Sequence, residues 1–229
     1  MHVPDGFLNA PTSAVTAVIA AGGVAVALRG ARRELDDRTA PLAGLVAVFV
    51  FAAQMLNFPV GAGTSGHLLG GALAAVLVGP FTATLCVAVV LLVQALAFAD
   101  GGITALGTNV TLMALVGVWV GYGVFRLART VLPKRRSSVP LAAAVGALVS
   151  VPAASAVFAL LFAIGGAAPI SVGTLLTTMV GWHLLIGIGE AVITFLAVGS
   201  ITAARPDLVH GARDLAATPE LELRTGVPA

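Results

Sequence analysis

This sequence is short of the residues that most soluble enzymes use for chemistry. It has one cysteine, Cys86, so a disulfide framework and a Cys-based metal cluster are both excluded. Cys86 lies inside an apolar run and reads as a packing residue. Its one lysine, Lys134, sits in Pro133-Lys134-Arg135, so there is no Gly-x-x-x-x-Gly-Lys-Ser/Thr phosphate loop. No nucleophile–base–orienter set is recognisable, and an enzyme is not expected. Charge is scarce as well. Charged residues make up 10% of the 229 residues against 59% hydrophobic, and the mean hydropathy is +1.04. A soluble domain of this size could not bury that much apolar surface. The net charge of +2 gives no support for nucleic-acid binding.

What is present is a series of apolar runs, near 14–28, 42–56, 68–78, 81–99, 103–125, 139–164 and 172–201. Their lengths suit membrane-spanning helices. The first run is preceded by Asp5 and followed by Arg29, Arg32 and Arg33. That is the reverse of a secretory signal, whose charge comes first. Seven crossings with the N-terminus outside place all 12 Lys and Arg residues on the inner side, as the positive-inside rule expects. The expected fold is therefore all-α and polytopic: seven transmembrane helices, N-terminus outside and C-terminus cytoplasmic. Residues 1–204 form the transmembrane domain, and 205–229 a loosely ordered cytoplasmic tail. Between the second and third runs, residues 57–67 are rich in Gly, Pro, Ser and Thr. Irregular backbone at membrane depth is tolerated only where protein or a cavity lines it, so this stretch is expected to dip into the outer part of the bundle.

The topology brings the N-terminus, the 57–67 segment and the turn Asp100-Gly101-Gly102 to one membrane face. There the α-amine of Met1, the amide of residue 2 and the imidazole of His2 are close enough along the chain to chelate one metal. A second imidazole would complete a four-nitrogen square, a donor set suited to Ni²⁺, Cu²⁺ and also Co²⁺. His67, set among glycines that allow close backbone approach, is the candidate for that fourth nitrogen. The plainer alternatives are an incidental His2 on an exposed arm and a helix-capping or interfacial His67. Asp5 is placed to hold the arm in a turn through nearby amides. Asn57, Thr64, Ser65 and Asp100 are candidates to orient the imidazoles. His183 and Glu190 lie seven residues apart within the last run, hence on one face. Ionisable groups there suggest a buried pair, a contact behind the ligands, direct ligation by His183, or a proton relay. The last of these would suit a stand-alone ion-coupled carrier.

Three blocks carry a family resemblance. Met1-His2-Val3-Pro4-Asp5-Gly6-Phe7-Leu8 resembles the N-terminus of the substrate-binding (S) components of cobalt/nickel energy-coupling factor importers, the CbiM/NikM proteins. Gln54-Met55-Leu56-Asn57-Phe58-Pro59-Val60, followed by Gly63-Thr64-Ser65-Gly66-His67-Leu68-Leu69-Gly70-Gly71, is similar to their second block. His183-Leu184-Leu185-Ile186-Gly187-Ile188-Gly189-Glu190 is similar to a third. The resemblance implies a seven-helix bundle in the cell membrane of a bacterium or archaeon, with the N-terminal arm inserted from outside. It implies metal ligation by the Met1 amine, the His2 amide and imidazole, and the His67 imidazole. It also implies ATPase partner subunits, a transmembrane coupling (T) subunit and a small accessory membrane subunit. The cargo would be Co²⁺ or Ni²⁺, with no prosthetic group. Family frequency points to cobalt, supplied to cobalamin biosynthesis.

Overall fold

The computed structural model describes residues 1–36, 39–61 and 64–215. Apolar helices dominate. Helices α1 (Ala10–Ala31), α2 (Ala40–Met55), α3 (Gly71–Val78) and α4 (Pro80–Ala97) come first. Next, α5 (Leu106–Asn109), a π-helical stretch (Val110–Gly117) and α6 (Val118–Val131) form one rod. The long helices α7 (Ser138–Gly165) and α8 (Val172–Ala204) follow. Five of these units, Ala10–Ala31, Pro80–Ala97, Leu106–Val131, Ser138–Gly165 and Val172–Ala204, are long and apolar enough to cross a membrane, and Ala40–Met55 is a shorter apolar helix. Each of the seven apolar runs thus yields a helix. The third does not span by itself: the eight residues of α3 cover roughly 12 Å at 1.5 Å per residue, under half of a hydrocarbon core of about 30 Å.

Local signals set the helix ends. Asn9 caps α1, its side chain accepting from the amide of Thr12 at 3.0 Å, with Pro11 in the first turn. Ser171 does the same for α8 through Thr174 at 3.1 Å. Such caps satisfy amides that a helix leaves open at its start. At the joint between α3 and α4, Gly79 adopts φ +95°, and a Cβ there would collide with the Glu34 carboxyl. That carboxyl needs the space. It accepts from the amides of Phe81 at 3.2 Å and Thr82 at 2.7 Å, and from the Thr82 hydroxyl at 2.9 Å. A carboxylate at a helix start also complements the helix dipole.

All eight residues of α3 are buried, so this short helix is the centre of the bundle. It packs on α4, α6 and α7, while α7 and α8 run against each other as the longest pair. Small residues allow the close approach: a Cβ on Gly121 would lie 2.6 Å from that of Ala72. Large apolar side chains such as Val18, Leu45 and Ile164 point outward and remain exposed, as a lipid-facing surface requires.

The described residues of the 57–67 segment are more ordered than irregular backbone. They include an antiparallel ribbon of β1 (Phe58–Gly61) and β2 (Thr64–Gly66), with Phe58 opposite Gly66 and Pro59 opposite Ser65. Pairing within the ribbon satisfies backbone groups away from water. The ribbon leans on α8, where Phe58 meets Trp182 edge-on at 6.2 Å. At the opposite end of the bundle, the first residues of the expected tail are folded. Two 3-10 turns (Pro206–Leu208 and His210–Leu215) bury Val209 and Ala212 against the helices. The rest of that tail lies outside the described residues.

Candidate metal centre

The arm is inserted into the bundle. Met1 and Val3 are fully buried, and His2 is only 4% exposed. Hydrogen bonds set its path. The Val3 amide donates to Asn109 Oδ1 at 2.7 Å, and the Val3 carbonyl accepts from Asn109 Nδ2 at 3.2 Å and from the Gly102 amide at 2.9 Å. Gly102 must be glycine-sized, because a Cβ would overlap the Asp5 amide. Farther along, the Asn9 amide donates to Gly165 O at 2.7 Å and the Ala167 amide to Phe7 O at 3.0 Å. The Phe7 ring wedges against Phe158 and Phe162, at 5.9 and 5.5 Å. The arm is therefore paired on both sides like an inserted strand.

This path lays His2 on His67, with the rings stacked at 4.4 Å and 29°. His67 is 1% exposed. Its Nδ1 lies 2.8 Å from the Leu68 carbonyl. A carbonyl can only accept, so Nδ1 carries the proton and Nε2 keeps a free lone pair. That Nε2 is buried and has no partner. The His2 Nε2 faces Gln94 Oε1 at 3.1 Å, and its Nδ1 lies 3.2 Å from Asp100 Oδ1. Asn57 Nδ2 donates to the other Asp100 oxygen at 3.1 Å. His2 first, and Asn57 after it, hold the Asp100 carboxyl below its ordinary value, against the opposing effect of burial. Asp100 is thus a carboxylate aimed at an imidazole. An outer cavity of about 490 Å³ opens onto this group, walled by Asn57, Ser65, Asp100 and His2 itself.

Other expected residues land differently. Asp5 does not bind the amides of its own arm. Its Oδ1 accepts from the Thr104 hydroxyl at 2.5 Å and the Thr104 amide at 2.8 Å, which ties the arm to the 103–105 turn. The Thr104 hydroxyl is the main reason its carboxyl is held below the ordinary value. The Thr64 hydroxyl is spent on Gly61 O at 2.8 Å and Met179 Sδ rather than on an imidazole. Ser65 lines the outer cavity. His183 is buried, with Nδ1 on the Met179 carbonyl at 2.7 Å and a free Nε2. Glu190, two turns on, receives the amides of Leu69 at 2.6 Å and Gly70 at 3.0 Å. His183 and Glu190 share a face, but each is engaged by backbone rather than by the other.

Three amides matter beyond the expected set. Gln94 and Asn109 hold His2 and Val3, and Gln54 Nε2 donates to Leu69 O at 2.8 Å. Gln54 and Glu190 thus clamp the backbone just after His67 from two helices. The usable signal was their polarity inside apolar runs. Among the described residues, no three His, Cys, Asp or Glu side chains converge as a ligand set. A metal here would need main-chain nitrogen beside the two imidazoles, and the buried N-terminus is the main-chain group at hand.

These features define a polytopic membrane protein whose buried arm lays His2 against His67 inside the bundle. A family described as the cobalt uptake substrate-specific transmembrane region (CbiM) matches residues 2–208. A putative metal transport protein of Haloquadratum walsbyi is 42% identical over 209 residues, 91% of this chain and 93% of that protein. A putative fused nickel transport protein, NikMN, of Archaeoglobus fulgidus is 39% identical over 92% of this chain and 68% of its own length. A crystal structure of a truncated transition metal transporter superposes with a TM-score of 0.83 at 31% identity, covering 89% of this chain and 99% of that one. The chain belongs to the CbiM family of cobalt/nickel uptake transmembrane components. It is a multi-pass membrane transport component, not an enzyme.

Proposed function

We propose that this chain captures Co²⁺ or Ni²⁺ from outside the cell as the substrate-specific subunit of an ATP-driven importer of the energy-coupling factor type. The observation that carries the reading is the buried N-terminus laid against two stacked imidazoles, one of them with a free, buried Nε2. The Met1 amine, the His2 amide nitrogen and the His2 imidazole form one face of the donor set, and His67 Nε2 closes it. Nitrogen donors of this kind suit both ions, and Irving–Williams affinity favours Ni²⁺. The family's description favours cobalt, and a cobalt cargo would serve cobalamin synthesis. Asp100, Asn57 and Gln94 orient the His2 ring. Glu190 and Gln54 fix the His67 backbone, as outer groups do around metal ligands generally.

The same proposal sets the topology: seven crossings, N-terminus outside. The ribbon and α3 together make the crossing that α3 is too short to make alone. The described Lys and Arg residues lie at the end away from the arm, which supports the orientation. Residues 1–204 are then the transport domain, and 205–229 a cytoplasmic extension. Without a phosphate loop in the chain, energy comes from ATPase subunits through a coupling membrane subunit, and a small accessory membrane subunit assists loading.

The test is metal binding by the full chain, Co²⁺ against Ni²⁺, for the wild type and for a variant with one residue inserted between Met1 and His2. The insertion moves the Met1 amine one residue farther from the His2 amide and imidazole while removing no side chain, so affinity should collapse. Wild-type affinity in that variant would remove the N-terminus from the site.

A further inference from the structure

The end of the bundle opposite the metal centre holds a larger cavity, about 620 Å³, between α6 and the 3-10 turn at His210–Leu215. Its lining includes Arg126, Arg129, Lys134 and Arg213, against one carboxylate, Asp214. Charge is unequally matched there. Arg129 spends Nη2 on Asp214 at 3.0 Å, and Arg213 donates to the main-chain carbonyl of Glu34 at 3.0 Å. The Arg129 side chain is 8% exposed, yet its Nη1 is buried without a partner. His210 Nδ1 on the opposite wall is in the same condition. Burial, and then Arg213 and Arg126, push the His210 imidazole down to about 4. At neutral pH the ring is therefore uncharged and can donate one N–H. Unpartnered buried polar atoms are rare in native structures and call for an explanation.

The Arg129 guanidinium, held by Asp214, together with the His210 ring and the exposed cations Arg126 and Lys134, matches the oxygens of a phosphate. We propose that this cavity is a phosphate-binding site at the inner membrane surface, with Arg126, Arg129, Lys134 and His210 as its donors. Its mouth favours a lipid as the source of the phosphate. Leu127 and Val131 of the same helix are 66% and 82% exposed, so apolar surface for an acyl chain adjoins the cationic wall. Basic pockets at this membrane depth are a known mode of anionic headgroup recognition, and the volume falls within the range of about 300–1,000 Å³ typical of small-ligand sites. The inner location rests on the orientation proposed above; the charge and geometry do not.

The test uses the full chain in detergent, read by native mass spectrometry. The probes are dioleoyl phosphatidylglycerol, the phosphatidylcholine with the same chains, and inorganic phosphate as competitor. The wild type should retain phosphatidylglycerol preferentially. The double variant Arg126→Gln/Lys134→Gln should lose at least about tenfold of that retention, since each charge-assisted contact is worth about that much. Co²⁺ binding at the far end serves as the folding control, and it should not change. Displacement of the lipid by inorganic phosphate would support the site with a free phosphate as an alternative occupant. Retention that resists displacement would support the lipid alone. Equal retention of the two lipids without a phosphate effect, or unchanged retention in the variant, would overturn the proposal. Failure of metal binding in the wild type would instead count against the transport reading and leave the phosphate site standing.

Discussion

The arm end of the bundle and the α3–α4 joint handle buried polarity in opposite ways. At the arm end the key groups are imidazoles and amides beside the Asp100 carboxylate, and several of their atoms have no protein partner: His67 Nε2, Gln54 Oε1, Gln94 Nε2 and His183 Nε2. At the joint, Glu34 links α3 to α4 with both carboxylate oxygens occupied. The Glu34 carboxylate behaves as a structural cap. The arm-end groups are held in place by second partners while one lone pair or donor stays available, as the proposed metal site would require.

Four substitutions test that contrast, beginning with the largest expected effect. Replacing His67 with Ala removes a donor outright, and metal affinity measured by titration calorimetry should fall by more than about a hundredfold. Next is Glu190→Gln, which keeps the shape but offers an N–H to one of the two amides it now accepts from. Displacing the His67 backbone in this way should weaken metal binding by about ten- to a hundredfold. A Glu190 acting only in a proton path would leave equilibrium affinity unchanged. Glu34→Gln should do the reverse, lowering stability by about 1–2 kcal/mol in denaturant or thermal unfolding with metal affinity intact. Asp5→Asn should have the smallest effect. Its carboxyl is held below the ordinary value by Thr104, so the wild type gains stability above the unfolded-state value and loses it as pH falls through the depressed one. A melting profile from neutral to acid pH should therefore fall more steeply in the wild type than in Asp5→Asn. Parallel profiles would detach Asp5 from arm docking.

Much of this was legible along the chain because membrane physics leaves few choices. All seven apolar runs became helices, since a backbone in lipid must bond to itself. His2 and His67 could be paired because sidedness alone placed both at one face. The 57–67 segment misled by its composition: Gly, Pro and Ser read as irregular, and only cross-strand pairing made it a ribbon. Asp5 was read as a local turn former, but its partner Thr104 is 99 residues away. Glu190 showed its importance as a buried ionisable group but not its role, because its partners are main-chain amides that carry no side-chain signature.

The sequence alone determined the class of protein, the apolar helices and the candidate donors, because hydropathy, charge asymmetry and a histidine at position 2 are properties of consecutive residues. Tertiary structure decided how those donors are held. The arm lies between the 99–109 and 165–167 segments, the His67 tautomer follows from one carbonyl, and the clamp from Gln54 and Glu190 joins two helices. Each depends on distances between groups far apart in the chain, which only the packed bundle sets.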